Sequence, residues 1–233
     1  MKAMLFAAGV GSRLKELTKD TPKCLMQIGG VTILEHVIGR LKAAGVTAVA
    51  INVHHHAGKV REFVESRGLF GLDVLFSEES TLLDTGGGLK KVRSFFEGED
   101  AFIIHNSDIF STADLAALVA LHRSRRSIGT LAVLQRPTRR GLYLAPGGEL
   151  VGWTKEASPQ PPGSELVDFS GISVASSELF GFMGEAVAFS LIEPYLAAAR
   201  STHRVTGTLI DHESWADIGT PEELDALRAK LSR

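Results

Sequence analysis

The 233-residue sequence has one cysteine, two tyrosines, two tryptophans and no excess charge of either sign. Cys24 has no partner in the chain for a disulfide, and a reducing cytoplasm is the simplest compartment that fits. Lysine plus arginine (25) nearly balance aspartate plus glutamate (27). No overall field therefore draws the chain to nucleic acid or to a membrane surface, and any phosphate recognition must be local. No apolar run approaches the ~20 residues of a membrane-spanning helix. The run Ala3-Met4-Leu5-Phe6-Ala7-Ala8 after Lys2 has the outline of a signal peptide, but it passes at once into a glycine turn and a charged stretch. A buried first strand explains it better. The sequence also lacks a His-x-x-Glu-His string, a cysteine pair and a Gly-x-Ser-x-Gly elbow, so nothing points to hydrolase chemistry. Repeats and low-complexity tracts are absent.

What is present is 44% hydrophobic residues, enough for one sizeable core, and one domain over residues 1–233 is expected. Short apolar runs at Ala3–Ala8, Ala48–Val53, Leu72–Phe76 and Ala101–His105 alternate with helix-like stretches beginning near Thr32, Ala57 and Gly88. Gly45 and Gly68 end the first two of these stretches. This is α/β punctuation, with buried parallel strands and crossover helices. After about Ser127 the pattern changes to closely spaced extended segments at Thr130–Gln135, Gly141–Leu144, Leu150–Lys155 and Val167–Val174, which predict hairpins beside the core sheet. A Pro/Gly/Ser loop at Ser158–Ser164 interrupts them. Thr220-Pro221-Glu222-Glu223 reads as N-cap, N1 proline and N3 glutamate of a final helix.

The first strand runs into Gly9-Val10-Gly11-Ser12-Arg13-Leu14 and then Thr21-Pro22-Lys23. Ala8, Gly9, Gly11 and Ser12 lie where a tight turn exposes backbone N–H groups to an anion. A dinucleotide fingerprint would need a third glycine at Leu14, and a P-loop would need a lysine and a hydroxyl directly after its second glycine. This loop carries instead a forked donor, Arg13, and a compact cation, Lys23. Two aspartates far apart in the chain complete the set. Asp108 follows the strand Phe102-Ile103-Ile104-His105 and Asn106-Ser107, where open α/β sheets bind ligands. Asp217 lies in Trp215-Ala216-Asp217-Ile218-Gly219-Thr220-Pro221. An aspartate in a turn is most often a turn former, yet two that converge suffice for Mg2+, which takes one or two carboxylates plus phosphate oxygens and water.

These strings resemble the sugar-phosphate nucleotidyltransferase family. Residues Ala7 to Leu14 and Thr21 to Lys23 match its A-A-G-x-G-[ST]-R-L and T-P-K signature. Asp108 and Asp217 stand where its metal-binding aspartates do, although Ser107 replaces the usual glycine. The resemblance implies a three-layer α/β/α sandwich on a mixed, mostly parallel Rossmann-like sheet. Residues 1–126 would form a nucleotide-binding half, and 127–233 an acceptor-binding half with the final helix. It further implies Mg2+-dependent transfer of a nucleoside monophosphate from a nucleoside triphosphate to a sugar 1-phosphate, forming a nucleoside-diphosphate sugar and pyrophosphate, with Arg13 and Lys23 as catalytic cations. Cytidylyl transfer to phosphocholine and a non-catalytic nucleotide-sugar-binding regulator are the alternatives.

Glu79 and the segment Thr85-Gly86-Gly87-Gly88 are the expected base-reading elements, the glycines forming a shelf for a flat ring. A carboxylate only accepts hydrogen bonds, which favours uracil, thymine or guanine. The triple-glycine form resembles muramic-acid-phosphate uridylyltransferases more than mannose guanylyltransferases. On the acceptor side the resemblance implies Lys155 against the acceptor phosphate, with a solvated lysine as the equal alternative, and Gly171 leaving room for the sugar. Asn106 joins them as a binding residue at the strand end. His105 reads as a structural or positioning residue rather than a base, and His54-His55-His56 as an exposed strand-to-helix turn.

Overall fold

The apolar run after Lys2 becomes β1 (Lys2–Phe6), buried through Ala3, Met4 and Leu5. The computed structural model describes residues 1–9, 12–139, 141–155 and 159–231. Two 3-10 helices, Ser12–Thr18 and Lys23–Leu25, precede the two-residue strands β2 (Gln27–Ile28) and β3 (Val31–Thr32). Helix α1 (Ile33–Ala43) starts with a reciprocal capping box. The Glu35 N–H donates to Thr32 Oγ1 at 3.1 Å, and the Thr32 N–H donates to Glu35 Oε2 at 2.8 Å. Gly45, at φ 86°, turns the chain away after it.

β4 (Ala48–Val53), α2 (Ala57–Ser66) and β5 (Asp73–Glu78) continue the alternation. Helix α3 (Asp84–Lys91) begins at Asp84 rather than near Gly88, so the three glycines lie inside it. β6 (Phe102–Asn106) and β7 (Ile109–Ser111) lead to α4 (Leu115–Ser124), whose N-cap Asp114 accepts from the Ala117 N–H at 2.9 Å. The second half contains β8 (Gly129–Leu134), β9 (Leu142–Leu144), β10 (Leu150–Trp153), β11 (Glu165–Ala175), α5 (Ile192–Thr202), β12 (Val205–Leu209), β13 (Trp215–Asp217) and α6 (Pro221–Leu231). The final helix has the predicted cap: the Thr220 N–H donates to Glu223 Oε2 at 2.9 Å and the Glu223 N–H to Thr220 Oγ1 at 3.3 Å.

One nine-stranded sheet carries the path β10-β9-β11-β6-β1-β4-β5, with β8 on β11 and β12 on β8. β6, β1, β4 and β5 are mutually parallel, whereas β11 runs antiparallel to β6, β8 and β9. The extended segments after Ser127 lie beside the parallel strands in the same sheet, with β9 and β10 as an antiparallel hairpin at its edge. Alternate side chains of β1 feed two cores. Ala3 and Leu5 pack with α1, α2, α4 and α6 through Val37, Val60, Leu118 and Leu224, while Met4 packs on the other face with Leu89, Leu191, Tyr195 and Leu196. This is the three-layer α/β/α sandwich, on a mixed and mostly parallel sheet in its first half. Among the described residues no helix is long and apolar enough to cross a membrane.

Candidate active site

The carboxyl ends of β1, β4, β5 and β6 open into a cleft of about 410 Å³, lined among others by Phe6, Gly9, Asn52, Glu79, Thr85 and Asn106. Ala8, Asp84 and Asp108 line it too. Such a crevice is where parallel sheets bind ligands, because the strand ends present backbone and side chains that no further layer covers.

A small second sheet brings the two aspartates together. β13 pairs antiparallel with β7, setting Asp217 opposite Ile109, and the Ile218 N–H donates to the Asp108 carbonyl at 3.2 Å. Lys23 then stands between the two carboxylates, donating to Asp108 Oδ2 at 2.6 Å and to Asp217 Oδ1 at 3.4 Å. Its side chain is only 9% exposed. Pro22 places it by opening the 3-10 helix from an extended backbone at φ −52°, ψ 138°. Arg13 Nη2 lies 3.9 Å from Asp217 Oδ2, with the arginine side chain largely in solvent. Gly219 lies beside the guanidinium: a Cβ there would stand 2.7 Å from Arg13 Nη2, at the free end of that side chain.

Burial pushes the Asp217 carboxyl above its ordinary range. The Lys23 ammonium opposes that rise, the Asp108 and Glu223 carboxylates add to it, and Arg13 opposes it. Two carboxylates converging on one ammonium form a donor set already arranged around a cation. Asp108 and Asp217 thus fit Mg2+, which needs only one or two protein carboxylates. No cluster of three or more metal-ligating side chains occurs among the described residues.

Ser107, in place of the expected glycine, is buried and donates from Oγ to the Phe6 carbonyl at 2.7 Å, tying the β6 turn to β1. Cys24 is buried beside it, and burial pushes its thiol up to about 12, so it is inert rather than reactive. His105 is buried within β6 and burial holds it down to about 4, so it is neutral and structural. Gly11 lies outside the described residues, as does the side chain of Ser12.

On the base side, Glu79 is only 4% exposed and already engaged. Its Oε1 accepts from Asn52 Nδ2 at 2.7 Å, and its Oε2 from the Leu83 N–H at 3.1 Å. Asn52 Oδ1 accepts in turn from the Ala7 N–H at 2.8 Å. Each Glu79 oxygen retains a second acceptor position. Asn52, buried in the apolar run of β4, is the residue that sequence reasoning missed. A lone asparagine at the carboxyl end of a buried strand was the available signal, because such a group needs partners.

The glycine shelf is used otherwise than expected. A Cβ on Gly86 would strike the Phe189 ring and one on Gly87 the Val187 carbonyl, while one on Gly88 would stand 2.9 Å from Glu79 Oε1. The ring these glycines admit is the chain's own. Thr85 remains in the cleft lining, and its Oγ1 accepts from the Leu191 N–H at 3.0 Å. Gly171, at φ 80° in a bulge of β11, likewise makes room for Asn106, whose Nδ2 would meet a Cβ there at 2.8 Å. Lys155 is exposed, with its Nζ 5.0 Å from the Trp153 ring centroid. His54 donates from Nδ1 to the Glu79 carbonyl at 2.7 Å, and His56 takes the left-handed φ of 58° at the N-cap of α2. Only His55 of the three is exposed.

A family model described as nucleotidyl transferase matches residues 2–141. The chain is 37% identical over 246 residues to the N-acetylmuramate alpha-1-phosphate uridylyltransferase of Caulobacter vibrioides, covering 99% of this chain and 96% of that protein. It is 32% identical over 148 residues to the mannose-1-phosphate guanyltransferase of Gibberella zeae (62% of this chain, 41% of that protein). With the mannose-1-phosphate guanylyltransferase of Mycobacterium tuberculosis it shares 27% over 236 residues, 99% of this chain and 64% of that protein. It thus spans less than two thirds of the length of these last two relatives. A solved structure of HddC from Yersinia pseudotuberculosis, complexed with GMP-PN, superposes with a TM-score of 0.75 at 20% identity, covering 98% of each chain, and shares the fold. From the match over most of its length and the site it carries, the chain belongs to the nucleotidyl transferase family.

Proposed function

We propose that this chain transfers a nucleoside monophosphate from a nucleoside triphosphate to a sugar 1-phosphate, releasing pyrophosphate, with Mg2+ held by Asp108 and Asp217. The observation that carries this reading is the convergence of both carboxylates on the Lys23 ammonium at the edge of the cleft. Mg2+, when bound, supplies the charge neutralisation that triphosphate chemistry requires. The chain's own groups then align and hold. A phosphate oxygen of the acceptor forms a bond to the α-phosphorus as the bond to pyrophosphate breaks, so no covalent enzyme intermediate is needed. Arg13, with the N–H groups of the loop, would stabilise the departing pyrophosphate, and Lys23 would hold the α-phosphate or the acceptor.

Glu79 supports UTP, dTTP or GTP, since its free acceptor positions suit a base that presents a ring N–H. The relative matched over nearly its whole length, a uridylyltransferase acting on N-acetylmuramate 1-phosphate by its name, favours UTP and that acceptor. The test is a pyrophosphate-release screen of the common nucleoside triphosphates against N-acetylmuramate, N-acetylglucosamine, glucose and mannose 1-phosphates and phosphocholine, with and without Mg2+. Release only with Mg2+ and highest with UTP is expected. Silence across the panel together with tight nucleotide-sugar binding would favour a regulator, and turnover of CTP with phosphocholine would replace the substrate assignment.

A further inference from the structure

Arg136 follows β8 and belongs to none of the motifs above. Its Nε donates to Asp168 Oδ2 at 2.5 Å, while Thr138 Oγ1 donates to the other carboxylate oxygen at 3.3 Å. The guanidinium carbon stands 4.4 Å from the Trp215 ring centroid. That indole is itself fixed, donating from Nε1 to the Ser170 carbonyl at 2.8 Å. Trp215 and Asp217 are alternate residues of β13, so their side chains project from one face roughly 7 Å apart. The guanidinium is therefore held on the face that carries Asp217. In the sheet order, β8 and β11 lie beyond β6, on the flank opposite Glu79 at the end of β5. A nucleotide whose base reaches Glu79 leaves this flank to the acceptor.

Asp168 is 9% exposed and occupies only the Nε side of the guanidinium. Neither Nη group makes a hydrogen bond among the described residues. Stacking on the indole sets the plane of the group, and the carboxylate sets its rotation. What remains is a preorganised pair of donors of the geometry that grips a planar or tetrahedral oxyanion. An ordinary surface ion pair would spend both edges of the fork on its partner.

We propose that Arg136 anchors an anionic group of the acceptor: either its 1-phosphate or a carboxylate carried by the same sugar. This rests on the transfer reaction proposed above. Two acceptors separate the sources, N-acetylmuramate 1-phosphate, which bears a lactyl carboxylate, and N-acetylglucosamine 1-phosphate, which lacks it. Wild type, R136Q and R136K are compared by steady-state kinetics and by calorimetric binding of each acceptor, with thermal unfolding as the check on folding. R136Q is expected to raise the acceptor KM about tenfold or more and to leave the KM for UTP within about twofold, with R136K recovering part of the loss. Equal losses for both acceptors assign the contact to the 1-phosphate, and a loss confined to the first assigns it to the carboxylate. If R136Q fails to fold because Asp168 loses its partner, R136K decides, since it keeps the charge and removes the fork. Unchanged acceptor KM and affinity in a folded variant overturn the proposal. A wild type that binds either acceptor without turning over removes the transfer reaction alone, and calorimetry on R136K still decides the role of Arg136. Absence of binding by wild type overturns both.

Discussion

The two ends of the central sheet hold cavities of similar size, about 410 Å³ at the carboxyl ends of the parallel strands and about 340 Å³ at the amino ends of β6 and β8. Their charges are arranged in opposite ways. At the amino ends each carboxylate of the lining has a cation of its own: Arg123 bridges Asp100 at 3.0 and 3.2 Å, Arg204 bridges Glu178 at 2.7 and 2.8 Å, and Lys2 pairs with Glu99 at 3.1 Å. At the carboxyl ends one ammonium, Lys23, is divided between Asp108 and Asp217, and a second cation, Arg13, stands at 3.9 Å. Closed pairs answer their own electrostatics and leave little for a ligand. Shared, incompletely matched charges beside a cleft leave a standing demand for one. Volume alone does not distinguish the ends; the stoichiometry of the charges does.

The largest effect that tests this contrast is expected from Asp108→Asn. Turnover should fall about a thousandfold, equivalent to ~4 kcal/mol of barrier, with thermal unfolding nearly unchanged. Near-normal pyrophosphate release from the folded variant would remove Asp108 from the cation site. The second effect concerns acid stability. His105 and His122 are held neutral, each lowered to about 4, with burial as the leading cause. Between pH 6.5 and about 4 the unfolded chain takes up protons that the folded chain refuses, so stability falls with pH across that window. The loss reaches roughly 3 kcal/mol for His105 and levels off below the folded value. Denaturant titrations at pH 7 and 4.5 measure it; replacing His105 by glutamine should flatten the dependence, and an unaltered slope would refute the assignment.

Arg204→Ala should matter less. The pair with Glu178 is exposed and screened, so about 0.5–1 kcal/mol of stability is expected to go while turnover stays as in wild type. A large loss of activity would mean that the amino-end cavity communicates with the cleft. The smallest change is expected from Lys155→Ala. A lysine over its own tryptophan at the surface should alter acceptor KM less than about twofold. A tenfold rise there would move the acceptor anchor to Lys155.

Much of the cleft could be read in the chain because its parts are local. The run into Gly9, the helix start near Thr32, the Thr220 cap with Glu223, and Asp108 at a strand end all involve neighbours within a turn or a strand. The parts that escaped reading depend on contacts between distant segments. Glycines at 86 and 87 look like a shelf for a ligand until Phe189 and Val187 are laid against them. Helix α4 was legible in principle from Asp114 and the buried Leu115, Leu118 and Val119 at helical spacing. The Arg136–Asp168–Trp215 cluster was not, because each member lies in a different element.

The sequence by itself determined the order of the phosphate loop and the two aspartates, the alternation that builds a parallel core, and the balance of charge that makes anion recognition local. Those follow from covalent order, periodicity and composition. Only the tertiary structure decided that β13 lies on β7 and so brings Asp217 to Asp108, that Asn52 holds Glu79, and that Arg136 is held on the face of Asp217. Strand pairing and burial join residues without regard to their separation along the chain, and the chemistry of this cleft is made by those joins.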